Sequence, residues 1–317
     1  MNEDIKATAG NTYVIETNDL TYYYGKHLAV DHVNLKIKAG TIYGFLGRNG
    51  AGKSSTIKML LGFMKPLAGS CSVLGCDSQQ LTPEVRQRIG YVTEGHRLFK
   101  WMKIGQLEKF QKAFFPGLWN DQLFDEMLAY FELSKKQKIK QLSNGQRAQV
   151  SLALTIAPNP ELLIMDDPTL GLDVAIRRQF LEGMIQLIQK QGRTILFSSH
   201  ILSDVERVAD HIGVMASGVL RADCTMSAFR EGIKKYRFEI EGGIPKDIDL
   251  PGLLHTQHND DCLELVLVNQ GASVIETFMH DHGIKKYQEV ALNLEDQFIE
   301  YTQKTKRPKL FSWEGAL

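Results

Sequence analysis

Residues 47–54 read Gly47-Arg48-Asn49-Gly50-Ala51-Gly52-Lys53-Ser54. The spacing G-x-x-x-x-G-K-[ST] is that of a phosphate-binding loop. Its glycines let backbone N–H groups converge on phosphate oxygens. The helix predicted to follow, from about 54 to 61, points its positive end at the same anion. Lys53 is placed to neutralise β- and γ-phosphates, and Ser54 to ligate Mg²⁺. Upstream, the apolar residues 41–46 read as a strand. Strand, glycine turn and helix in that order separate this loop from a merely glycine-rich turn.

Downstream, Leu162-Leu163-Ile164-Met165 is wholly apolar, as a strand buried on both faces requires. It ends in Asp166-Asp167. Asp166 is placed to hold Mg²⁺, and Asp167 to orient or deprotonate an attacking water. Alone, two carboxylates after a strand read as a helix cap; after a phosphate-binding loop they read as its catalytic complement. Leu142-Ser143-Asn144-Gly145-Gln146 opens a helix whose N-terminus suits an anion. Residues 174–190 place Phe180, Met184 and Leu187 on one helical stripe closed by Gly192, and 194–198 read as the next strand. Such alternation predicts a largely parallel sheet covered by helices.

The chain has 317 residues, and at about 150 per domain it predicts two domains. Residues 1–12 and 304–317 read as tails. The pattern changes near Asp223: 236–241, 262–268 and 287–292 read as strands, and 272–282 and 294–303 as helices, giving a smaller α+β unit. Residues 102–133 read as largely helical, interrupted near Pro116-Gly117. Lys plus Arg and Asp plus Glu both number 37, which argues against a nucleic-acid partner. No run approaches the roughly 18 apolar residues of a membrane span, and the polar start has no signal-like core. Cys71, Cys76, Cys224 and Cys262 form no CxxC pair and read as free buried thiols. His255, His258, His280 and His282, with Asp260, Asp261 and Asp281, read as solvated surface rather than a metal site.

Taken in order over residues 13–225, these motifs resemble the nucleotide-binding subunit of an ABC (ATP-binding cassette) transporter. The fold this implies is a P-loop α/β ATPase domain, with a mixed sheet core, an antiparallel subdomain and a helical subdomain at about 96–157. A small C-terminal α+β domain at 226–303 is the accessory unit. The resemblance implies that Tyr24 stacks on adenine, with Tyr22 and Tyr23 as alternatives. It implies that residues 47–54 and Ser55 hold the nucleotide, that 142–146 are the signature motif, and that Leu170-Gly171-Leu172-Asp173 is the D-loop. His200, in Ser198-Ser199-His200, is the switch histidine on the γ-phosphate. Glu94 joins the catalytic and Mg²⁺ groups. A head-to-tail dimer is implied, with itself or a second ABC ATPase, in which Ser143, Asn144, Gly145, Gln146 and Asp173 complete the partner's ATP site. So is a separate membrane permease, which holds the subunit on the cytoplasmic face.

Three positions depart from the family pattern. Asp167 stands where glutamate is usual, one methylene shorter, so its carboxylate sits roughly 1–1.5 Å further back, a displacement that can cost ~10²-fold in rate. Glu94 stands where glutamine is usual. Asn144 replaces the first glycine of the signature, in a turn expected to tolerate asparagine at positive φ. Arg97-Leu98-Phe99-Lys100-Trp101-Met102 follows Glu94; Phe99 and Trp101 suit either a core or a permease socket. Leu294-Glu295-Asp296-Gln297-Phe298 resembles the Leu-Glu-Asp-x-Phe near the end of exporter-type subunits. The expectation is therefore an exporter-driving ATPase. The alternative is a slow or non-hydrolysing ATP-gated switch, or the degenerate half of an asymmetric heterodimer. One cassette and no coiled coil argue against ribosome-bound or DNA-repair relatives. The transported substrate is not encoded here.

Overall fold

The computed structural model describes residues 13–189, 192–239, 248–259, 262–270 and 272–302. Both expected tails lie outside them. The first sheet is antiparallel: β1 (Tyr13–Tyr24) lies between β2 (His27–Lys38) and β4 (Ala68–Val73), and β4 pairs with β5 (Cys76–Asp77). The end of β2 shows why one face is covered. Val33, Leu35 and Ile37 are buried while Asn34, Lys36 and Lys38 are exposed, the period of two that a half-buried strand demands.

The second sheet has the order β10 (Val219–Thr225), β9 (His211–Ala216), β3 (Ile42–Leu46), β8 (Thr194–Ser199), β7 (Leu162–Met165), β6 (Ile89–Val92). From β9 to β6 it is parallel; β10 is an antiparallel edge. Its two faces feed two cores. Phe45, Leu162, Ile164 and Leu196 pack toward the first sheet and α1 (Lys53–Leu60). Leu46, Leu163, Met165, Ile195 and Phe197 pack toward α5 (Asn144–Ile156), α6 (Val174–Gln189) and α7 (Leu202–Val208). Every residue of β7 is 1% exposed or less, as its unbroken apolar run predicts. Phe180 and Met184 of the predicted α6 stripe are fully buried; the side chain of Leu187 is outside the described part. The segment expected to be helical at 102–133 divides into α3 (Ile104–Lys112) and α4 (Asp121–Tyr130), separated around Pro116-Gly117.

The third sheet is antiparallel, in the order β12 (Leu253–Asn259), β13 (Cys262–Val268), β11 (Ile233–Glu239), β14 (Tyr287–Val290). Helix α9 (Ala272–His282) covers one face through Ile275 and Phe278. Helices α8 (Met226–Gly232) and α10 (Leu294–Thr302) tie the sheet to the main core, where Tyr301 stacks on Phe229 with ring centroids 5.4 Å apart. The fold class is the expected one.

Several details correct the sequence reading. The strands expected at 13–16 and 33–37 are the ends of a twelve-residue pair, because polar Asn18-Asp19 and Asp31-His32 sit at register shifts within it. Strands β4, β6, β9, β10 and β12 and helices α7, α8 and α2 (Pro83–Gln87) had no sequence-level counterpart. Cys71 and Cys224 are buried free thiols, but Cys76 and Cys262 are only half-buried. His255 is not solvated surface. It is buried, with Nε2 2.7 Å from Glu300 Oε2, inside a charge network in which Lys235 reaches Glu300 at 3.3 Å and Glu264 at 2.7 Å. No group of three or more His, Cys, Asp or Glu side chains placed to hold a metal ion forms among the described residues; Asp260 and Asp261 lie outside them.

That network has a pH signature. Burial by itself raises the Glu300 and Glu264 carboxyls, but their basic partners outweigh it and hold both below the ordinary 4.5. A depressed folded-state pKa means the stabilisation is complete above the unfolded value and disappears as pH falls through the folded one. Thermal melts are therefore expected to lose stability progressively below about pH 4.5, and Glu300→Gln is expected to flatten that limb while lowering the melting temperature at neutral pH. An unchanged acid limb in Glu300→Gln would contradict this.

Candidate active site

Three neighbouring parallel strands end side by side, with Leu46 beside Ser199 and Met165 beside Phe197. The carboxyl ends of such strands are where an open α/β sheet binds ligands. Beyond β3 the chain turns through residues 47–52 into α1. Gly52 has φ +110°, and a Cβ there would meet the Ala29 carbonyl at 2.4 Å, so only glycine fits. Lys53 folds back into this loop, donating to the Gly47 carbonyl at 2.8 Å. A cavity of about 520 Å³ opens over it, lined by Tyr24, residues 49–55, Glu94 and Asp167. Arg48 lines an adjoining cavity with Thr302, at the end of α10. Gly47 lies beneath the loop, its N–H on the Ser199 carbonyl. Tyr24 is half exposed at the rim, its hydroxyl 3.4 Å from Ser55 Oγ; Tyr22 and Tyr23 do not line the cavity.

Asp166 and Asp167 follow β7 directly. Asp166 Oδ1 accepts from Ser54 Oγ at 3.0 Å and Ser198 Oγ at 2.9 Å. Burial, and then the Asp167 charge, push the Asp166 carboxyl up, and these two hydroxyls oppose them. Asp167 Oδ2 lies 3.4 Å from Lys53 Nζ, and Asp167 Oδ1 lies 2.9 Å from His200 Nδ1. Asp167 has φ +43° and precedes Pro168. A non-glycine residue in that region is strained, and clusters of such strain mark functional sites. Glu94 faces the same cavity from the loop after β6.

The remaining expected residues lie elsewhere. Ser143 is the N-cap of α5, accepting from the Gln146 N–H at 3.1 Å, and the Gln146 side chain accepts from the Ser143 N–H at 3.0 Å, a capping box. Asn144 bonds Arg147 and is helical. No positive φ is needed there, which corrects the expected turn. What Gly145 supplies is space: a Cβ would come within 2.5 Å of Ile176. Asp173 caps α6, accepting from the Ile176 N–H at 3.0 Å. None of these five residues lines the cavity over residues 47–54.

Three contacts escaped the sequence reading. Ser198 bridges the two carboxylate residues. Buried His96 joins the Glu94 loop to the Pro168 carbonyl at 2.7 Å, and burial lowers its pKa. Thr169 donates to buried Asp204 at 2.8 Å. Ser198 and His96 sat next to motifs already noted, but nothing local says which partner each meets.

A phosphate-cradling loop facing an acidic strand end and a histidine, on this sheet order, defines an ABC-type P-loop ATPase. The ABC transporter family profile matches residues 30–170. The chain is 32% identical to the bacitracin transport ATP-binding protein BcrA of Bacillus licheniformis, over 86% of this chain and 83% of that one. It belongs to the ABC transporter ATP-binding family. It is 29% identical to the Nod factor export ATP-binding protein I of Cupriavidus metallidurans, over 93% and 99% of the two chains. Among solved structures, an ATP-binding subunit of an ABC transporter matches with TM-score 0.61 at 26% identity, over 69% of this chain and 92% of that one. A dimeric ATP-binding cassette with ADP and Pi shares the fold at TM-score 0.60 and 23% identity, over 67% and 98%. The protein is thus an ATP-binding, ATP-hydrolysing subunit of a transporter.

Proposed function

We propose that this chain drives an exporter-type permease by head-to-tail dimerisation around ATP, with residues 13–225 as the ATPase domain and 226–303 as an accessory domain. The observation that carries this reading is the cavity over the phosphate-binding loop, lined by Lys53, Ser54, Glu94 and Asp167, with Asp166 bonded to Ser54 and His200 to Asp167 behind it, while the signature helix start stays outside. Ser143 and Gly145 sit at a capped helix N-terminus outside the lining of the cavity in their own chain, which supports a second subunit using them in trans.

In this reading Tyr24 stacks on adenine. Backbone N–H groups of the loop beyond Gly47, together with Ser55, grip the phosphates, and Lys53 exchanges Asp167 for the γ-phosphate. The site's oxygens suit Mg²⁺: Ser54 Oγ and Asp166 Oδ1 already lie 3.0 Å apart, with Glu94 on the same wall. Bound there, Mg²⁺ would neutralise charge on the β- and γ-phosphate oxygens. Asp167 orients the attacking water and takes its proton, and His200 holds the γ-phosphate and the Asp167 carboxylate in line. Arg48, Asn49, Gly50, Ala51 and Gly52 position the triphosphate, and Asn144, Gln146 and Asp173 shape the partner-facing edge.

Support for the permease comes from the surface after Glu94. Phe99 and Trp101 are 49% and 71% exposed, so they are not core residues. Rings of Trp101, Phe99, Phe110 and Phe114 form a continuous chain with centroids 5.3 to 6.3 Å apart. Exposed aromatics of this kind anchor interfaces. The double variant Phe99→Ser, Trp101→Ser is expected to weaken co-purification with the permease by about 30-fold or more, with the ATPase rate of the isolated chain unchanged. Equal recovery would place the permease elsewhere. Export, rather than import, is supported by the name of the Nod factor export relative, which aligns over 93% of this chain. No helix among the described residues is long and apolar enough to span a membrane. In this reading the permease is a separate chain, with the subunit on its cytoplasmic face.

A second reading, an ATP-gated switch with little turnover or the weak half of a heterodimer, is favoured by the short Asp167 side chain. Steady-state ATP hydrolysis of the purified chain, with Lys53→Ala as blank, tests between them. Turnover well above the blank supports the motor. ATP-dependent dimerisation without turnover supports the switch.

A further inference from the structure

We propose that Ser198 is a positioning residue for hydrolysis, one hydroxyl holding both the backbone of Asp167 and the carboxylate of Asp166. This rests on the reading of Asp167 as the hydrolytic carboxylate. Ser198 is fully buried on β8, which runs parallel beside β7. Its Oγ accepts from the Asp167 N–H at 2.9 Å and donates to Asp166 Oδ1 at 2.9 Å. A serine hydroxyl has a single proton to donate, so the carboxylate fixes its direction and leaves a lone pair aimed at the amide.

The backbone it holds does not rest there by preference. Asp167 has φ +43°, a region costly for a residue with a Cβ, and the following proline further restricts the preceding residue. Without the hydroxyl, the Asp167 N–H is left buried and unpaired. The peptide would turn to recover a partner, carrying the carboxylate away from Lys53 Nζ at 3.4 Å and His200 Nδ1 at 2.9 Å. A glutamate has an extra torsion with which to follow such a shift; an aspartate does not. Ser198 matters because the carboxylate is short.

The nucleotide contacts lie elsewhere. Tyr24 and residues 47–55 make no side-chain bond to Ser198, and Ser54 keeps its own bond to Asp166. The expected signature is therefore a selective loss in the hydrolytic step. In the purified full chain, Ser198→Ala is expected to lower kcat by about 10- to 10²-fold. KM for ATP and the affinity for a fluorescent ATP analogue should stay within about threefold. Ser198→Cys, which fills the volume but hydrogen-bonds weakly, should fall between Ala and the native residue. In an Asp167→Asn background, followed by single-turnover decay of labelled ATP, Ser198→Ala should cost nothing further, because its route of action is already cut.

A Ser198→Ala kcat within about twofold of native overturns the proposal, as does an equal fractional loss in both backgrounds. If the alanine variant does not fold, Ser198→Cys decides: a native rate in it overturns the proposal, a reduced rate with native KM supports it. Native turnover in Asp167→Asn overturns the reading of Asp167 and this proposal with it. An inactive Asp167→Asn beside a fully active Ser198→Ala overturns this proposal alone.

Discussion

Asp167→Asn is expected to lower steady-state ATP hydrolysis by about 10²- to 10³-fold, the range lost when a positioned general base is removed. The substitution is nearly isosteric, so the cavity and the Ser198 bond to the Asp167 amide survive. Two interactions change. His200 Nδ1, now 2.9 Å from a carboxylate oxygen, faces a neutral amide, and Lys53 loses its ionic partner at 3.4 Å. Freed from Asp167, Lys53 binds the γ-phosphate without first breaking an ion pair, so the apparent affinity for ATP should hold or tighten. The variant should then collect as an ATP-bound dimer, seen by size-exclusion chromatography with ATP. A substantial rate in Asp167→Asn would remove Asp167 from the chemistry. Asp167→Glu should raise turnover, since the longer side chain advances the carboxylate by roughly 1–1.5 Å toward the water it serves.

The second large effect is Lys53→Ala. Lys53 is 4% exposed and ties two parts of the site together, bonding the Gly47 carbonyl at 2.8 Å and Asp167 at 3.4 Å. Its ammonium sets a positive charge against the buried Asp166 and Asp167 pair. Charge-assisted bonds of this kind contribute about 1.5–3 kcal/mol each. Losing the contact to phosphate should weaken ATP binding by about 10- to 10²-fold, and hydrolysis should drop to the blank. Removal also leaves the carboxylates facing one another, which raises the Asp166 pKa further, in the direction burial already drives it. Fluorescent-nucleotide titration and phosphate release read both effects. Retained nucleotide affinity would show that the backbone cradle, not the ammonium, carries binding.

What could be read from the chain alone is contiguous in the chain. Residues 47–54 announce a phosphate cradle because loop and helix start are one segment, and the chemistry depends on neighbours in sequence. The apolar run 162–165 announces a doubly covered strand because burial on both faces leaves no polar position. The capping box at Ser143 and Gln146 is a three-residue spacing. The strands that went unread are those whose burial comes from a partner far away: β9 pairs with β3, some 170 residues earlier, and β10 is held in the sheet only through β9. His255 looked like surface because its partner, Glu300, lies on another element, as does the Lys235 that Glu300 also meets.

The amino-acid order by itself determined the phosphate-binding loop, the acidic strand end, the capped signature helix and so the ATPase family. Each is a local pattern whose meaning travels with its spacing. Only the tertiary structure decided that Ser198 bridges Asp166 and Asp167, that His200 and Lys53 both engage Asp167, and that the signature start stands apart from the cavity. Those facts depend on which strands lie side by side and in what register, and register is set by packing over distances that no short stretch of sequence contains.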